Sequence, residues 1–394
     1  MDITLSSIFC TFLKLGCFSF GGPIAHIGYF REEFVVRKGW LDEGEYADLV
    51  ALCQFLPGPA SSQVGFSIGL LKGGFWGGVA AWIAFTLPSA FLMIGFAYGI
   101  SWLGDAGAMG WLNGLKAAAV AVVAHAVWGM GRQHCRDGWG MAVALLVAGF
   151  LIYASASVYG QVAGILFGGL VGLILYRSKI TEEKKPTEER MLHPFWGGAS
   201  VGLFALLLCG LPLLVLVYPN MWVQVFDAFY RSGALVFGGG HVVLPLLQAE
   251  VVPTGWVSND SFLAGYGAAQ AVPGPLFTFS AYLGTVMEGD AKGVLGGLWC
   301  LLAIFLPALL LTAGVIPFWH RLRAIKWVRA FLLGANAAVV GLLLAALYRP
   351  VILSGISGWT SLGIALGALC LLAFAKTRSW LVVVLAAIAG GLLL

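Results

Sequence analysis

Phe12-Leu13-Lys14-Leu15-Gly16-Cys17-Phe18-Ser19-Phe20-Gly21-Gly22 returns as Phe229-Tyr230-Arg231-Ser232-Gly233-Ala234-Leu235-Val236-Phe237-Gly238-Gly239, each position 217 residues later. A second block, Gln54-x-x-Pro57-Gly58-Pro59, returns as Gln270-x-x-Pro273-Gly274-Pro275 at an offset of 216. Gly77-Gly78 with Leu87-Pro88 returns as Gly296-Gly297 with Leu306-Pro307 at 219. Spacing that holds within blocks and drifts between them marks one unit duplicated along the chain. The first two blocks also contain what a continuous helix rejects. Proline removes a backbone donor and collides with the preceding turn, and glycine permits the sharp redirection. The apolar segments 3–36, 46–72, 222–247 and 261–287 are therefore expected to be broken or re-entrant helices, with Pro23, Pro57, Pro59, Pro273 and Pro275 at the breaks.

Composition places these breaks in a membrane. Of 394 residues, 60% are hydrophobic and 10% charged, against roughly 25% charged in a soluble domain. Strongly apolar stretches recur at about 74–103, 111–131, 139–155, 160–176, 195–217, 291–318, 326–348, 356–374 and 379–394, most of them near the ~18 residues that read as a crossing. They are continuous rather than alternating, which disfavours a transmembrane barrel. The net charge of +4 comes from short loops, not a basic stripe, so no nucleic-acid partner is expected. The seven cysteines form no CxxC pair and mostly lie in apolar runs. They read as small buried hydrophobes, with no disulfide framework, metal site or cofactor implied. Met1-Asp2 lacks the basic start of a cleavable signal peptide.

The charged run Arg177 to Arg190 divides the chain. The expected parts are a first repeat at 1–176, a cytoplasmic linker at 177–194, a linking transmembrane helix at 195–220 and a second repeat at 221–394. Loop 31–48 carries Arg31, Arg37 and Lys38, while its counterpart 248–260 carries no basic residue. Loop 101–110 carries none, while 320–329 carries Arg321, Arg323, Lys326 and Arg329. Basic loops mark the cytoplasmic face, so the exchange predicts repeats of opposite orientation. The expected fold is an all-α polytopic membrane protein. It has two inverted-topology repeats, nine crossings, and four broken or re-entrant helix pairs at the repeat interface. Its N-terminus is expected to be cytoplasmic. Interrupted backbone at membrane depth persists only where protein or a watery cavity surrounds it.

A helix that begins inside the membrane aims unpaired N–H groups and a partial positive charge at what lies ahead of it, which makes an anion site. Gly21, Gly22, Gly58, Gly238, Gly239 and Gly274 offer such backbone. Ser19, Gln54, Ser61, Ser62 and Gln270 offer neighbouring polar groups, although serines there also serve to cap their own helix. Lys14 and Arg231 share one repeat position inside apolar helices, where a cation is costly and marks function by default. The plainer alternatives are that Lys14 reaches the interface and that Arg231 pairs with Asp227 one turn away. His26 and His241 follow their breaks and are candidates to bind an anion or carry a proton; the plainer alternative is a structural histidine. Acidic residues are absent between Asp48 and Asp105 and after Asp290. Glu33, Asp227 and Glu250 are the candidates for coupling, and a Na⁺ relay through buried carboxylates is not supported. No nucleophilic triad, HExxH or P-loop stands out, so neither an enzyme nor an ATP-driven pump is expected.

Leu15-Gly16-x-x-Ser19-Phe20-Gly21-Gly22-Pro23-x-Ala25-His26 followed by Gln54-Phe55-Leu56-Pro57-Gly58-Pro59 resembles the chromate ion transporter family. So does the second-half pair Val236-Phe237-Gly238-Gly239-Gly240-His241 and Gln270-Ala271-Val272-Pro273-Gly274-Pro275. Resemblance in both halves is that of the long, two-domain form. It implies a multi-pass protein of the bacterial inner membrane that moves chromate, usually outward, and confers chromate resistance. Sulfate is the look-alike substrate, being another tetrahedral dianion. The second half departs from the first: Gly240 stands for Pro23, and Leu276-Phe277-Thr278 for the serine-rich stretch after Pro59. Most ligand contacts are therefore expected in the first half. The resulting expectation is a secondary transporter in the lipid bilayer for a chromate or sulfate dianion. A counter-ion or proton and a homodimeric partner stay open. The rivals are an anion channel and a transporter of another inorganic or organic anion.

Overall fold

A computed structural model describes residues 3–153, 158–178, 194–322 and 325–394; most of the expected linker lies outside the described residues. Among these, all regular structure is helical. The helices in chain order are α1 (Leu5–Phe18), α2 (Gly22–Arg31), α3 (Glu43–Phe55), α4 (Ala60–His134), α5 (Gly138–Tyr153), α6 (Val158–Tyr176), α7 (Pro194–Val217) and α8 (Met221–Ala234). They continue with α9 (Val243–Val251), α10 (Asn259–Ala269), α11 (Phe279–Val286), α12 (Gly293–Val315), α13 (Lys326–Ala346), α14 (Trp359–Ala373) and α15 (Ser379–Leu393), beside shorter helical turns. Six stretches among the described residues are long and apolar enough to cross a membrane: Ala60–Ile100, Gly110–His134, Val158–Tyr176, Phe195–Val217, Gly293–Phe318 and Lys326–Gly355. The other three expected crossings form helices too, with 16, 15 and 15 described residues in α5, α14 and α15. At 1.5 Å per residue α14 reaches about 22 Å, short of a hydrocarbon core of about 30 Å.

The described chain forms two compact units that cut across the duplication. The first unit holds Met1–Ala106, Met191–Gly240 and Ala268–Pro317; the second holds Gly107–Arg190, His241–Gly267 and Phe318–Leu394. In the first unit, the Thr4 side chain caps α1, and the i, i+4 stripe Ile8, Phe12 and Gly16 is buried. The helix stops at Ser19, and the chain turns at Gly21 and Gly22, whose φ values of 104° and 75° exclude most other residues. Pro23 then opens α2, its fixed φ suited to a first helical turn. Phe12 meets Phe30 at 5.7 Å and Phe34 at 4.8 Å between ring centroids, so α2 and its continuation run back along α1 as a hairpin. A capping box of Asp42 and Glu45 starts α3. It ends before Pro57-Gly58-Pro59, and α4 begins at Ala60. At Gly74, with φ of 63°, α4 folds back on itself. There Gly69 and Gly77 lie so close that a β-carbon on either would collide with the carbonyl of the other.

The same packing recurs in the second copy's share of this unit. Gly16 lies against the Phe85 carbonyl and Gly233 against the Ile304 carbonyl; Gly78 faces Phe66 and Gly297 faces Ala281. Such backbone-to-backbone approach is how helices gain contact energy where lipid is as apolar as the helix surface. The second unit uses the same device. Gly168 and Gly172 of α6 meet Gly334 of α13, and Gly114 of α4 meets Gly390 of α15. Few polar contacts are needed there; Tyr176 donates to Asp137 at 2.9 Å, and Lys116 pairs with Asp260 at 3.1 Å.

Candidate anion site at the helix breaks

The breaks of the two copies bond to each other inside the first unit. Gly58 N–H donates to Val236 O at 2.7 Å, and Gly274 N–H donates to Ser19 O at 2.9 Å. Gly274 is the repeat equivalent of Gly58, and Val236 that of Ser19. Each Pro-Gly-Pro turn therefore bonds the carbonyl two residues before the other copy's glycine doublet. Side contacts are exchanged in the same way. A β-carbon on Gly58 would stand 2.5 Å from Ala308 Cβ, and one on Gly274 would stand 2.8 Å from Ser89 Oγ. Ser89 and Ala308 each follow the helix proline, Pro88 or Pro307, of the opposite copy. The equivalent residues Pro23 and Gly240 face each other, with 3.5 Å from Pro23 Cγ to a β-carbon built on Gly240. Equivalent positions that meet each other in exchanged pairs are the mark of a two-fold relation.

At the first copy's break the polar groups are buried. Ser19, His26, Ser61, Ser62 and Gln63 are all at most 2% exposed. His26 Nε2 lies 3.1 Å from Ser19 O, and Nδ1 lies 3.2 Å from Ser61 Oγ. Gln63 Nε2 donates to Pro57 O at 2.9 Å and braces the turn. The bond from Gln63 N–H to Pro59 O, 3.0 Å, opens α4, so the amides of Ala60, Ser61 and Ser62 head the helix without an intrahelical acceptor. Ser62 Oγ and Gln63 Oε1 are buried and have no hydrogen-bond partner. A buried polar atom left unpaired costs about 1–3 kcal/mol; an oxyanion at this helix head would accept from Ser62 Oγ, whereas Gln63 Oε1, an acceptor, needs a water or another donor. The second copy is chemically quieter. Its hydroxyls are turned back on the chain: Thr278 donates to Pro275 O at 2.8 Å and Ser280 to Phe277 O at 2.7 Å. A short 3₁₀ turn, Leu276–Thr278, replaces the clean helix start.

The remaining candidates are dispersed. Lys14 is exposed, on the side of α1 opposite Phe12 and Gly16. Arg231 contacts a single oxygen of Asp227, with Nε at 3.0 Å and Nη2 at 2.9 Å; the two side chains are 23% and 7% exposed. Asp227 Oδ1 is buried without a hydrogen-bond partner. Gln54 is exposed, while Gln270 Nε2 is buried and unpartnered. Glu33 faces Arg37 at 3.7 Å and Lys38 at 4.0 Å. In the second unit, His241 lies 2.8 Å from the Tyr266 hydroxyl, and Glu250 is buried on α9. The carbonyls of Ser19 and Val236, and the small residues Ser89 and Ala308, were not singled out from sequence. The one signal for Ser89 and Ala308 was the repeated Leu-Pro before each.

Comparison with known proteins follows the same duplication. The family sequence model described as Chromate transporter matches residues 6–173 and again 223–391. The chain belongs to the chromate transporter family. A chromate transport protein of Pseudomonas aeruginosa is 30% identical over 345 residues, 85% of this chain and 78% of that protein. A probable chromate transport protein of Synechococcus elongatus is 28% identical over 346 residues, 85% and 81% of the two chains. An uncharacterised transporter of Methanocaldococcus jannaschii is 26% identical over 394 residues, 98% and 94% of the two. No solved structure matches. Membership in this family and the apolar helices make the chain a multi-pass membrane transporter.

Proposed function

We propose that this family member is a secondary transporter that moves chromate across the cytoplasmic membrane, with the dianion held at the head of α4. The observation that carries the reading is that helix head itself. Three leading amides and the buried Ser62 hydroxyl, unpartnered among the described residues, stand in the first turn after a break braced by the other copy. Positive partial charge and hydrogen-bond donors with no internal partner suit a tetrahedral oxyanion. Two relatives named for chromate transport support chromate as the substrate. Inverted orientation is supported by the helix count. The α1/α2 and α3/α4 hairpins return to the side they started from, and five helical segments separate Gly74 from α8. An odd number of crossings places the start of α8 opposite the start of α1. Alternating access follows from movement of the break-bearing elements about the exchanged bonds. The basic loops 31–48 and 320–329 support a cytoplasmic N-terminus.

The test is chromate flux in proteoliposomes, with Ser62→Ala as the comparison. The variant should take up chromate with an apparent affinity weakened about tenfold, and sulfate should compete with chromate in the wild type. Wild-type affinity in Ser62→Ala removes the site. Flux that shows no accelerated exchange against trapped chromate identifies a channel instead.

A further inference from the structure

His26 is completely buried, and its ring is bonded on both sides. The partner of Nε2 is the carbonyl oxygen of Ser19, which only accepts, so Nε2 carries hydrogen. In the neutral ring Nδ1 is then the acceptor, and Ser61 must donate its hydroxyl hydrogen to it. That hydrogen is thereby withheld from the helix head that Ser61 itself helps to form. A proton on Nδ1 reverses the bond. Both ring nitrogens then donate, Ser61 Oγ accepts from the ring, and the hydroxyl hydrogen is released toward the head of α4.

We propose that His26 and Ser61 form a proton-operated donor switch, in which a proton on His26 Nδ1 frees the Ser61 hydroxyl for the oxyanion at the head of α4, so that proton and dianion are taken up together. This rests on the α4 anion site proposed above. The groups around His26 fit the assignment. The α1–α2 turn offers Ser19 O, and α4 offers Ser61 and the Phe85 ring, edge-on with centroids 5.4 Å apart. On α3, the buried titratable groups are Tyr46, which donates to Ile27 O at 2.6 Å, and Cys53, which faces Ser67 at 3.8 Å. Lys14 lies on the exposed side of α1. From the second copy, Gly274 N–H shares the Ser19 carbonyl. Among the described residues no carboxylate is bonded to His26, so an imidazolium here lacks a counter-charge and a dianion on α4 lacks a cation. Each supplies what the other needs, and the linkage is reciprocal. The second copy does not repeat the device. Its hydroxyls are spent on Pro275 O and Phe277 O, and His241 follows its glycine doublet by two residues rather than four.

The experiment uses the purified full chain in detergent with chromate as the probe, at alkaline pH where chromate is wholly the dianion. Binding is followed by calorimetry, and proton uptake by a pH dye in weak buffer. The wild type should take up close to one proton per chromate bound, and its affinity should fall up to about tenfold per pH unit as pH rises. In His26→Gln, the amide nitrogen replaces Nε2 at Ser19 O and the amide oxygen accepts from Ser61. This variant should bind chromate with no proton uptake and an affinity independent of pH. Stoichiometric binding without proton uptake in the wild type overturns the switch while the anion site stands, and this measurement needs no variant. PH dependence that survives in His26→Gln also overturns it. No chromate binding by the wild type at any pH removes the anion site itself.

Discussion

Gly58→Ala and Gly274→Ala probe the exchange between copies, because each should be rescued only by a change in the other copy. Gly58 and Gly274 have φ of 122° and 92°, and a β-carbon held in the left-handed region costs about 1–2 kcal/mol. Its contact with Ala308 Cβ at 2.5 Å or Ser89 Oγ at 2.8 Å adds overpacking of about 1–3 kcal/mol. Each single variant should therefore lose about 2–5 kcal/mol. Ala308→Gly removes the atom that Gly58→Ala strikes, at a helix-propensity cost of about 1 kcal/mol. Ser89→Gly does the same for Gly274→Ala, and also gives up the 3.0 Å bond from Ser89 to Thr86 O. The matched doubles, Gly58→Ala with Ala308→Gly and Gly274→Ala with Ser89→Gly, should show coupling of about 1–3 kcal/mol. The mismatched doubles should be additive to about 0.5 kcal/mol. Thermal unfolding in detergent reads the coupling, and chromate flux reads whether the breaks still work. Additivity in all four doubles, or rescue in the mismatched ones, refutes the two-fold exchange.

Arg231→Ala strands the buried carboxylate of Asp227 and should cost about 3 kcal/mol in unfolding experiments; adding Asp227→Ala should recover most of it. Lys14→Ala, on an exposed position of α1, should leave the melting temperature unchanged, so that any change in chromate flux reports directly on its role. Tyr176→Phe should lower stability by about 1–2 kcal/mol through loss of the hydrogen bond to the Asp137 carboxylate, with chromate affinity in binding assays unaltered.

Much of this was legible in the sequence because it is written in backbone chemistry. Gly21-Gly22, Pro57-Gly58-Pro59 and their second copies cannot sit inside an uninterrupted helix, and the chain breaks at each of them. The difference in hydroxyls between the two breaks was legible as well, since Leu276-Phe277-Thr278 offers fewer than Ala60-Ser61-Ser62. Which copy pairs with which was not legible. Offsets of 216 and 217 reveal equivalence, but a hydrogen bond from Gly58 to Ser19 O and one to Val236 O leave the same trace in sequence. The surroundings of Lys14 and Arg231 differ for a related reason. Both lie off the buried stripe of their helix, but Asp227 sits one turn before Arg231 where Cys10 sits before Lys14. The helix α14 shows a further limit. The run 356–374 extends past its helix, Trp359–Ala373, because Ile356 and Phe374 at its ends are apolar without being helical.

The crossed bonds at Gly58 and Gly274 also bear on ancestry. A protein of half this length would own both ends of the bond, the Pro-Gly-Pro donor and the carbonyl before its glycine doublet, yet would meet its complement only on a neighbour. Such a half would close these bonds only in a pair of identical chains. Joined in one chain, the two halves need not stay alike: the first sets His26 beside Ser61, while the second turns Thr278 and Ser280 onto its own carbonyls.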